Sequence, residues 1–297
     1  MTTLHMNSDK HLLLPFGQAR HASDLEAIWT DKTHQSTQAF EAQFTEASTL
    51  DAFEVPGFCL CCDLHTKFAV DLEWGGRKVG NKLYPNWRER MVCTSCQMNN
   101  RQRLMATLLK QFLNEKVNQS VYLMEQVTPI FDWAEKHCIG QTINGSEYLG
   151  PGYASGTIIE GIRHEDIENL SFGSQTLDLV VSNDVFEHVP DYQNAFAECA
   201  RVLKPGGIML ATIPFHSQSI QSVVRAKLSE GQINHLQPPQ YHGNPVSQEG
   251  SLVFTDFGWD VKVAAQNAGF QEVTIDYYLS EPYGHLGEPL GVFRFQS

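Results

Sequence analysis

An α/β protein with a doubly wound, mostly parallel sheet, preceded by a small helical and cysteine-rich region, is the fold class this sequence predicts. Three observations carry it. From about residue 120 onward, short apolar runs alternate with stretches whose apolar positions recur at helical spacing. The two strongest runs, residues 177–181 and 208–215, have the nearly continuous apolar character of strands covered on both faces. Upstream, five of the seven cysteines fall within 38 residues, among glycine and proline turns.

The elements follow in order. Residues 1–19 carry no clear pattern and read as a loose arm, and the apolar run at 12–16 is too weak for a signal peptide. Residues 20–54 are polar with apolar positions at Leu25, Ile28, Trp29, Phe40, Phe44, Leu50 and Phe53, which predicts one or two helices. Little in residues 56–98 suggests a hydrophobic core. Asn99 or Asn100 then caps a helix over 101–116, with Leu104, Leu108 and Phe112 on one row and Leu109 and Leu113 on the next. Residues 121–124 form a short strand, and a helix opens at Thr128 and Pro129. Brief runs at Thr142 and Ile143, and at Ile158 and Ile159, add strand candidates. The helix over 191–203 gathers Ala195, Phe196, Cys199, Val202 and Leu203 on one face, and Lys204-Pro205-Gly206-Gly207 ends it. A helix over 259–268 and strands over 272–278 and 292–295 complete the set.

Composition bounds the function. The chain has 297 residues, roughly two domains' worth at about 150 each. With 42% hydrophobic and 19% charged residues it is an ordinary globular sequence. A net charge of −13 weighs against wrapping nucleic acid or lying on an anionic membrane, while leaving a nucleic acid contact open. No apolar run approaches the ~20 residues of a membrane span. The expectation is a soluble, cytoplasmic protein without a membrane partner.

Cysteines stand at 59, 61, 62, 93, 96, 138 and 199. An odd number clustered in a reducing compartment points to a metal, not a disulfide frame. Cys59 with Cys62, and Cys93 with Cys96, are two knuckles of C-x2-C spacing that together close a four-thiolate shell around structural zinc. The 30 residues between them exceed the usual ribbon interval, so an inserted hairpin is expected. Cys61 competes with Cys62 as ligand, and His65 is a substitute. Cys138 and Cys199 read as core residues. Residues 56–103 hold eight basic and four acidic side chains, a local excess of +4. The bland reading is a solvated face that pairs with the acidic body; the functional one is a site for an anionic partner.

In doubly wound sheets the ligand sits beyond the carboxyl ends of the strands, where the winding reverses, and an acidic residue about 20 positions after the first strand binds ribose hydroxyls. Glu147, with Tyr148 beside it, follows Glu125 by 22 residues. Glu165, Asp166 and Ile167 come next. The run Asp178-Leu179-Val180-Val181-Ser182-Asn183-Asp184-Val185-Phe186-Glu187-His188-Val189-Pro190-Asp191 and the later Arg201-Val202-Leu203-Lys204-Pro205-Gly206-Gly207 resemble a class I S-adenosylmethionine-dependent methyltransferase, a Rossmann-like fold, over roughly residues 120–297. A cysteine ribbon ahead of the domain is similar to some sugar and some ribosomal RNA guanine methyltransferases. The resemblance implies S-adenosylmethionine as cofactor, with Glu147 on the ribose, Asp166 and Ile167 flanking the adenine, and Asn183 and Asp184 lining the methionine end. It also implies three parts: a helical arm (1–55), a zinc-ribbon-like module (56–100) and the methyltransferase domain (101–297).

One departure is visible. Where the family has an acidic residue and a glycine-rich turn, this chain has Met124-Glu125-Gln126-Val127-Thr128-Pro129. S-adenosylmethionine has no pyrophosphate, so the demand for glycine is weaker. Glu125 can attract the cationic groups and the helix after Thr128 can meet the carboxylate. Val127 narrows the room, and Val127 or Phe131 filling the crevice would leave no space for a cofactor. Methyl transfer needs alignment and, where required, removal of a proton. His188, His216, His235 and His242 are the candidate bases, with His188, His216 and His242 preferred. Residues 234–245 read as a long loop or lid over the acceptor. The leading expectation is methyl transfer to a small polar acceptor, sugar-like or phosphorylated. The alternatives are an RNA base methyltransferase docking through the basic ribbon, and a silent methyltransferase-like binding module.

Overall fold

The computed structural model describes residues 12–46, 51–114 and 116–297. It opens with β1 (Gly17–Ala19), α1 (Leu25–Trp29) and α2 (Lys32–Thr45). The cysteine-rich region contains β2 (Phe53–Cys59), β3 (Leu64–Val70), β4 (Arg77–Val79), β5 (Lys82–Tyr84), α3 (Trp87–Arg90) and β6 (Met91–Cys93). Next come α4 (Asn100–Leu113), β7 (Ser120–Leu123), α5 (Pro129–His137), β8 (Thr142–Gly145), β9 (Ile158–Ile159), β10 (Ile162–Arg163), β11 (Leu177–Asn183), α6 (Tyr192–Val202) and β12 (Leu203–Thr212). Short strands β13 (Val223–Val224), β14 (Ala226–Ser229), β15 (Gln232–His235), β16 (Tyr241–Asn244), β17 (Ser247–Leu252) and β18 (Thr255–Asp256) precede α7 (Asp260–Asn267), β19 (Glu272–Ser280) and β20 (His285–Gln296).

The central sheet runs β1-β19-β20-β12-β11-β7-β8. Strands β8, β7, β11 and β12 are mutually parallel, and β20, β19 and β1 extend the sheet antiparallel. From β7 the chain steps outward to β8, then returns to the other side for β11 and β12. The winding reverses between β7 and β11, as in a doubly wound, Rossmann-like sheet. Side-chain alternation divides the core by face. Val121, Leu123, Leu179 and Val181 pack with Leu104 and Leu108 of α4 and Ile130 and Ala134 of α5. Tyr122, Val180, Met209 and Ala211 pack on the opposite face with Phe196 and Cys199 of α6 and Val261 and Ala265 of α7. No helix among the described residues is long and apolar enough to cross a membrane.

Local chemistry sets the helix starts. Asn99 caps α4 by accepting from the Gln102 amide at 2.8 Å while its own amide donates to the Gln102 side chain at 3.2 Å. Asp191 caps α6 through the Asn194 amide at 3.1 Å. Thr128 occupies the cap position of α5, but its hydroxyl donates to Glu125 and does not cap through its side chain.

Several expectations are corrected. The arm is not loose throughout: residues 1–11 lie outside the described residues, but Gly17–Ala19 pair with β19, from Gly17 opposite Tyr277 to Ala19 opposite Ile275. Phe53 opens a strand, not a helical turn, and Leu50 lies outside the described residues. Ile158 and Ile159 form a hairpin with β10, apart from the central sheet. The strand expected from Ile208 already begins at Leu203 and ends at Thr212. The cysteine-rich stretch does bury a core: Val55, Phe68, Met91 and Met98 pack in one continuous cluster with Leu104, Leu286 and Leu290. The expected inserted hairpin is β4–β5. Residues 234–245 are not a plain loop; they contain the end of β15 and all of β16, within two exposed hairpins.

Candidate active site

The four cysteines of the two knuckles converge. The Sγ atoms of Cys59 and Cys96 are 4.0 Å apart, and those of Cys62 and Cys93 are 3.8 Å apart. Tetrahedral zinc with bonds of about 2.3 Å places its sulfurs roughly 3.8 Å from one another, so the group fits the ion. Cys62, not Cys61, belongs to it. Cys61 turns to α4, where its thiol meets the Arg103 carbonyl at 3.3 Å. His65 packs edge-on against Phe58, with ring centroids 5.2 Å apart.

At the switch point, Glu125 follows β7 and is buried. Its Oε2 accepts from the Thr128 hydroxyl at 2.6 Å, and its Oε1 accepts from the Asn183 amide group at the end of β11. Burial pushes the Glu125 carboxyl above its ordinary range, against the pull of those two donors. Glu147, just past β8, sends Oε1 to the backbone amides of Gln126 and Val127, at 2.7 and 3.0 Å. A carboxylate from the neighbouring strand thus organises the turn where glycines were expected. The close-approach glycine stands at Gly145: a Cβ there would meet Phe131 at 2.3 Å and the Glu125 carbonyl at 2.8 Å. Val127 is 41% exposed, while Phe131 is buried with its ring against Gly145, in the core cluster that includes Val121 and Leu123.

Tyr148 stands 5.4 Å, ring to ring, from the buried His164, which pairs with Glu147 in a short parallel bridge. Asp166 folds back on the Glu168 amide at 2.9 Å, and Ile167 is buried in the core below.

Asp184 takes a left-handed conformation, with φ of 54°, as β11 ends. Its carboxylate meets Arg88 at 2.7 Å and Arg101 at 3.4 Å, and Glu89 binds the same two guanidinium groups. Burial pushes the Asp184 carboxyl up, but the two arginines outweigh it and hold the group well below the usual carboxylate range. With its folded value depressed, the contribution is complete above the unfolded range near pH 4 and is lost as pH falls through the folded value. Asp184→Asn is expected to cost about 2 kcal/mol at pH 7, below the ~3–5 of a fully buried pair because the Arg88 side chain is 35% exposed. It should also flatten the acid limb of the stability curve below pH 4. Denaturant titrations at several pH values check this; a variant with wild-type stability and acid response would contradict it.

The remaining bases separate. His188 and His242 come together beside the buried Glu187, with ring centroids 5.0 Å apart. His188 also holds the Leu252 carbonyl through Nδ1 at 2.8 Å. The Glu187 carboxylate, 3.5 Å from its Nδ1, raises His242 above the ordinary imidazole range despite burial. His216 is 63% exposed, 4.0 Å from Asp256, and His235 is exposed on β15. A cleft of about 630 Å³ opens past the end of β12, walled by Trp29, Trp87, Phe215 and Tyr277, with Arg88 and Arg101 on its rim. Much of the basic excess is paired: Lys67 meets Glu54, Lys78 meets Asp51, Lys82 meets Glu46 and Arg90 meets Asp71.

Sequence reasoning gave no site role to Glu187, Arg88, Arg101 or Gly145. Adjacency to His188 was the available signal for Glu187. The arginines were visible only as excess charge, because their partner Asp184 lies more than 80 residues away.

Residues 139–211 match the family described as "Methyltransferase domain". A probable S-adenosylmethionine-dependent methyltransferase of Mycolicibacterium smegmatis is 40% identical over 53 residues, 18% of this chain and 21% of that protein. A ubiquinone biosynthesis O-methyltransferase of Mesorhizobium japonicum is 38% identical over 61 residues, 20% of this chain and 24% of that protein. The chain therefore matches less than a quarter of either relative's length. Among solved structures, the 1,6-didemethyltoxoflavin-N1-methyltransferase of Burkholderia thailandensis, bound to S-adenosylhomocysteine, aligns with a TM-score of 0.38 at 16% identity, over 66% of this chain and 77% of that one. An S-adenosylmethionine-dependent methyltransferase of Mesorhizobium loti aligns with a TM-score of 0.39 at 15% identity, over 65% and 98%.

Proposed function

We propose, from the premise that residues 139–211 are part of a class I S-adenosylmethionine-dependent methyltransferase domain, that this chain transfers a methyl group to a small polar acceptor. The observation that carries the reading is the interlock of Glu125, Glu147 and Asn183 at three parallel strand ends, on both sides of the winding reversal. Bound there, S-adenosylmethionine supplies a methyl group already activated by its sulfonium. Glu147 and Tyr148 would hold the ribose side, Asp166 and Ile167 the adenine, and Asn183 and Asp184 the methionine end. Glu125 offers negative charge to the cationic groups, and the start of α5 at Thr128 offers amide donors to the carboxylate. The aromatic cleft past β12 suits an acceptor with a ring to stack and a polar group to react. Glu187, His188 and His242 gather at the turn after β11 and stand as the polar groups that would serve the reacting atom, while His216 lies exposed beside Asp256.

The largely neutralised basic face favours the small-molecule acceptor over RNA docking, since Lys67, Lys78, Lys82 and Arg90 already meet carboxylates. In the same reading the four-cysteine group holds structural zinc: a shell filled by thiolates has no open position for chemistry.

Calorimetry of the full chain with S-adenosylhomocysteine is expected to show saturable binding. Glu147→Gln, which removes a charged acceptor, should weaken it roughly 10–100-fold. Absence of heat and of any thermal shift would overturn the reading.

A further inference from the structure

The turn after β11 buries a carboxylate that no hydrogen bond answers. Glu187 is 1% exposed, and among the described residues neither of its side-chain oxygens has a hydrogen-bond partner. An uncompensated buried carboxylate is costly. What faces it are two imidazole nitrogens: Nε2 of His188 at 3.6 Å and Nδ1 of His242 at 3.5 Å, both from Oε1. A tetrahedral divalent ion with bonds of about 2.0–2.1 Å places its ligand atoms roughly 3.3 Å apart, just inside those separations. The three ligand atoms all lie within 4.8 Å of one another.

The supporting bonds fit the same conclusion. His188 meets the Leu252 carbonyl through Nδ1, so in the neutral ring Nδ1 carries the proton and the Nε2 lone pair faces Glu187. A lone pair against a carboxylate oxygen is repulsive until a cation stands between them. An N–H to a backbone carbonyl is also the support that ligating imidazoles ordinarily have. The Phe254 amide holds the Glu187 carbonyl at 2.7 Å, tying the turn to the segment just after β17, the strand that pairs with the one carrying His242.

We propose that Glu187, His188 and His242 form a site for a divalent first-row metal ion, separate from the four-cysteine cluster. Three protein ligands leave a position for water or for an acceptor atom. A hydroxyl bound there would lose its proton more readily, with the ion as Lewis acid and the leaving proton passing to solvent. That role rests on the methyl-transfer reading; the binding of the ion does not.

Zinc is the decisive probe, because it outranks manganese and iron on nitrogen and oxygen ligands. The full chain is equilibrated with zinc, freed of excess, and its metal counted by elemental analysis. The wild type should hold one more zinc per chain than His242→Gln, whose position is partly exposed on β16. Glu187→Gln should lose the same single equivalent. Equal counts in the wild type and His242→Gln overturn the site. Calorimetry with S-adenosylhomocysteine on the same samples reports the cofactor reading independently: missing heat with the zinc difference intact overturns methyl transfer and leaves the metal site standing.

Discussion

Replacing Cys93 with serine is expected to release the ribbon's zinc and to destabilise far more than the ribbon. Cys93 is fully buried, 3.8 Å from Cys62, and lies in the same cluster as Phe68, Met91 and Met98. That cluster continues without a break into Leu104 and Leu108 of α4 and Leu286 and Leu290 of β20. Apparent binding energies of about 10–16 kcal/mol for structural zinc in finger peptides show how much stability such an ion supplies. Loss of one thiolate should therefore lower Tm sharply, melt β2, β3 and β6, and loosen α4 against the sheet. Elemental analysis with thermal unfolding checks this. Unchanged zinc content, or zinc loss with an unshifted Tm, would contradict it.

Arg103→Met should be the second most damaging change. The Arg103 side chain is 1% exposed and donates to the carbonyls of Tyr283 at 3.0 Å and Gly284 at 2.6 Å. Its guanidinium lies 4.1 Å from the centre of the Phe68 ring. Phe68 in turn fills the space left by Gly284, where φ is 63° and a Cβ would meet the ring at 2.2 Å. Arg103 interacts electrostatically with three cysteines of the cluster, Cys59, Cys93 and Cys96, so its charge would offset that of thiolates holding a zinc ion there. Methionine fills similar volume but supplies no cation and no donors. The expected cost is about 3–5 kcal/mol, with weaker zinc retention against a chelator. Arg103→Lys should recover only part of it, because an ammonium lacks the planar fork that spans two carbonyls. Wild-type denaturant midpoints and zinc retention in the methionine variant would contradict this account.

What was legible in the sequence had local causes. Asn99 and Asp191 announce α4 and α6 because capping is a short-range interaction, and the apolar spacing that follows needs no tertiary information. The paired C-x2-C spacing located the thiol cluster for the same reason. The illegible parts depend on distant partners. β1 has three residues and no apolar alternation; it is a strand because β19 offers its edge some 260 positions later. The ribbon's core was missed because Val55, Phe68 and Met91 are buried against α4 and β20, not against one another alone. Glu147 was legible as an acidic residue after a strand, but not as the group that holds the amides of Gln126 and Val127. That role arises only because β7 and β8 lie side by side. His188 and His242 were singled out separately. Their meeting over Glu187 follows from β16 folding back beneath β17, which spacing along the chain does not encode.

The central claim is that a sulfonium nucleoside fits at the reversal of the sheet, gripped by carboxylates where glycines are missing. A crystal structure of the full chain soaked with S-adenosylhomocysteine tests it most directly. The ribose should lie on Glu147, the adenine beside Asp166 and Ile167, and the amino-acid end toward Asn183 and Asp184. Density for the ligand elsewhere, or none while Glu147 keeps the turn amides and the crevice stays closed, would contradict it.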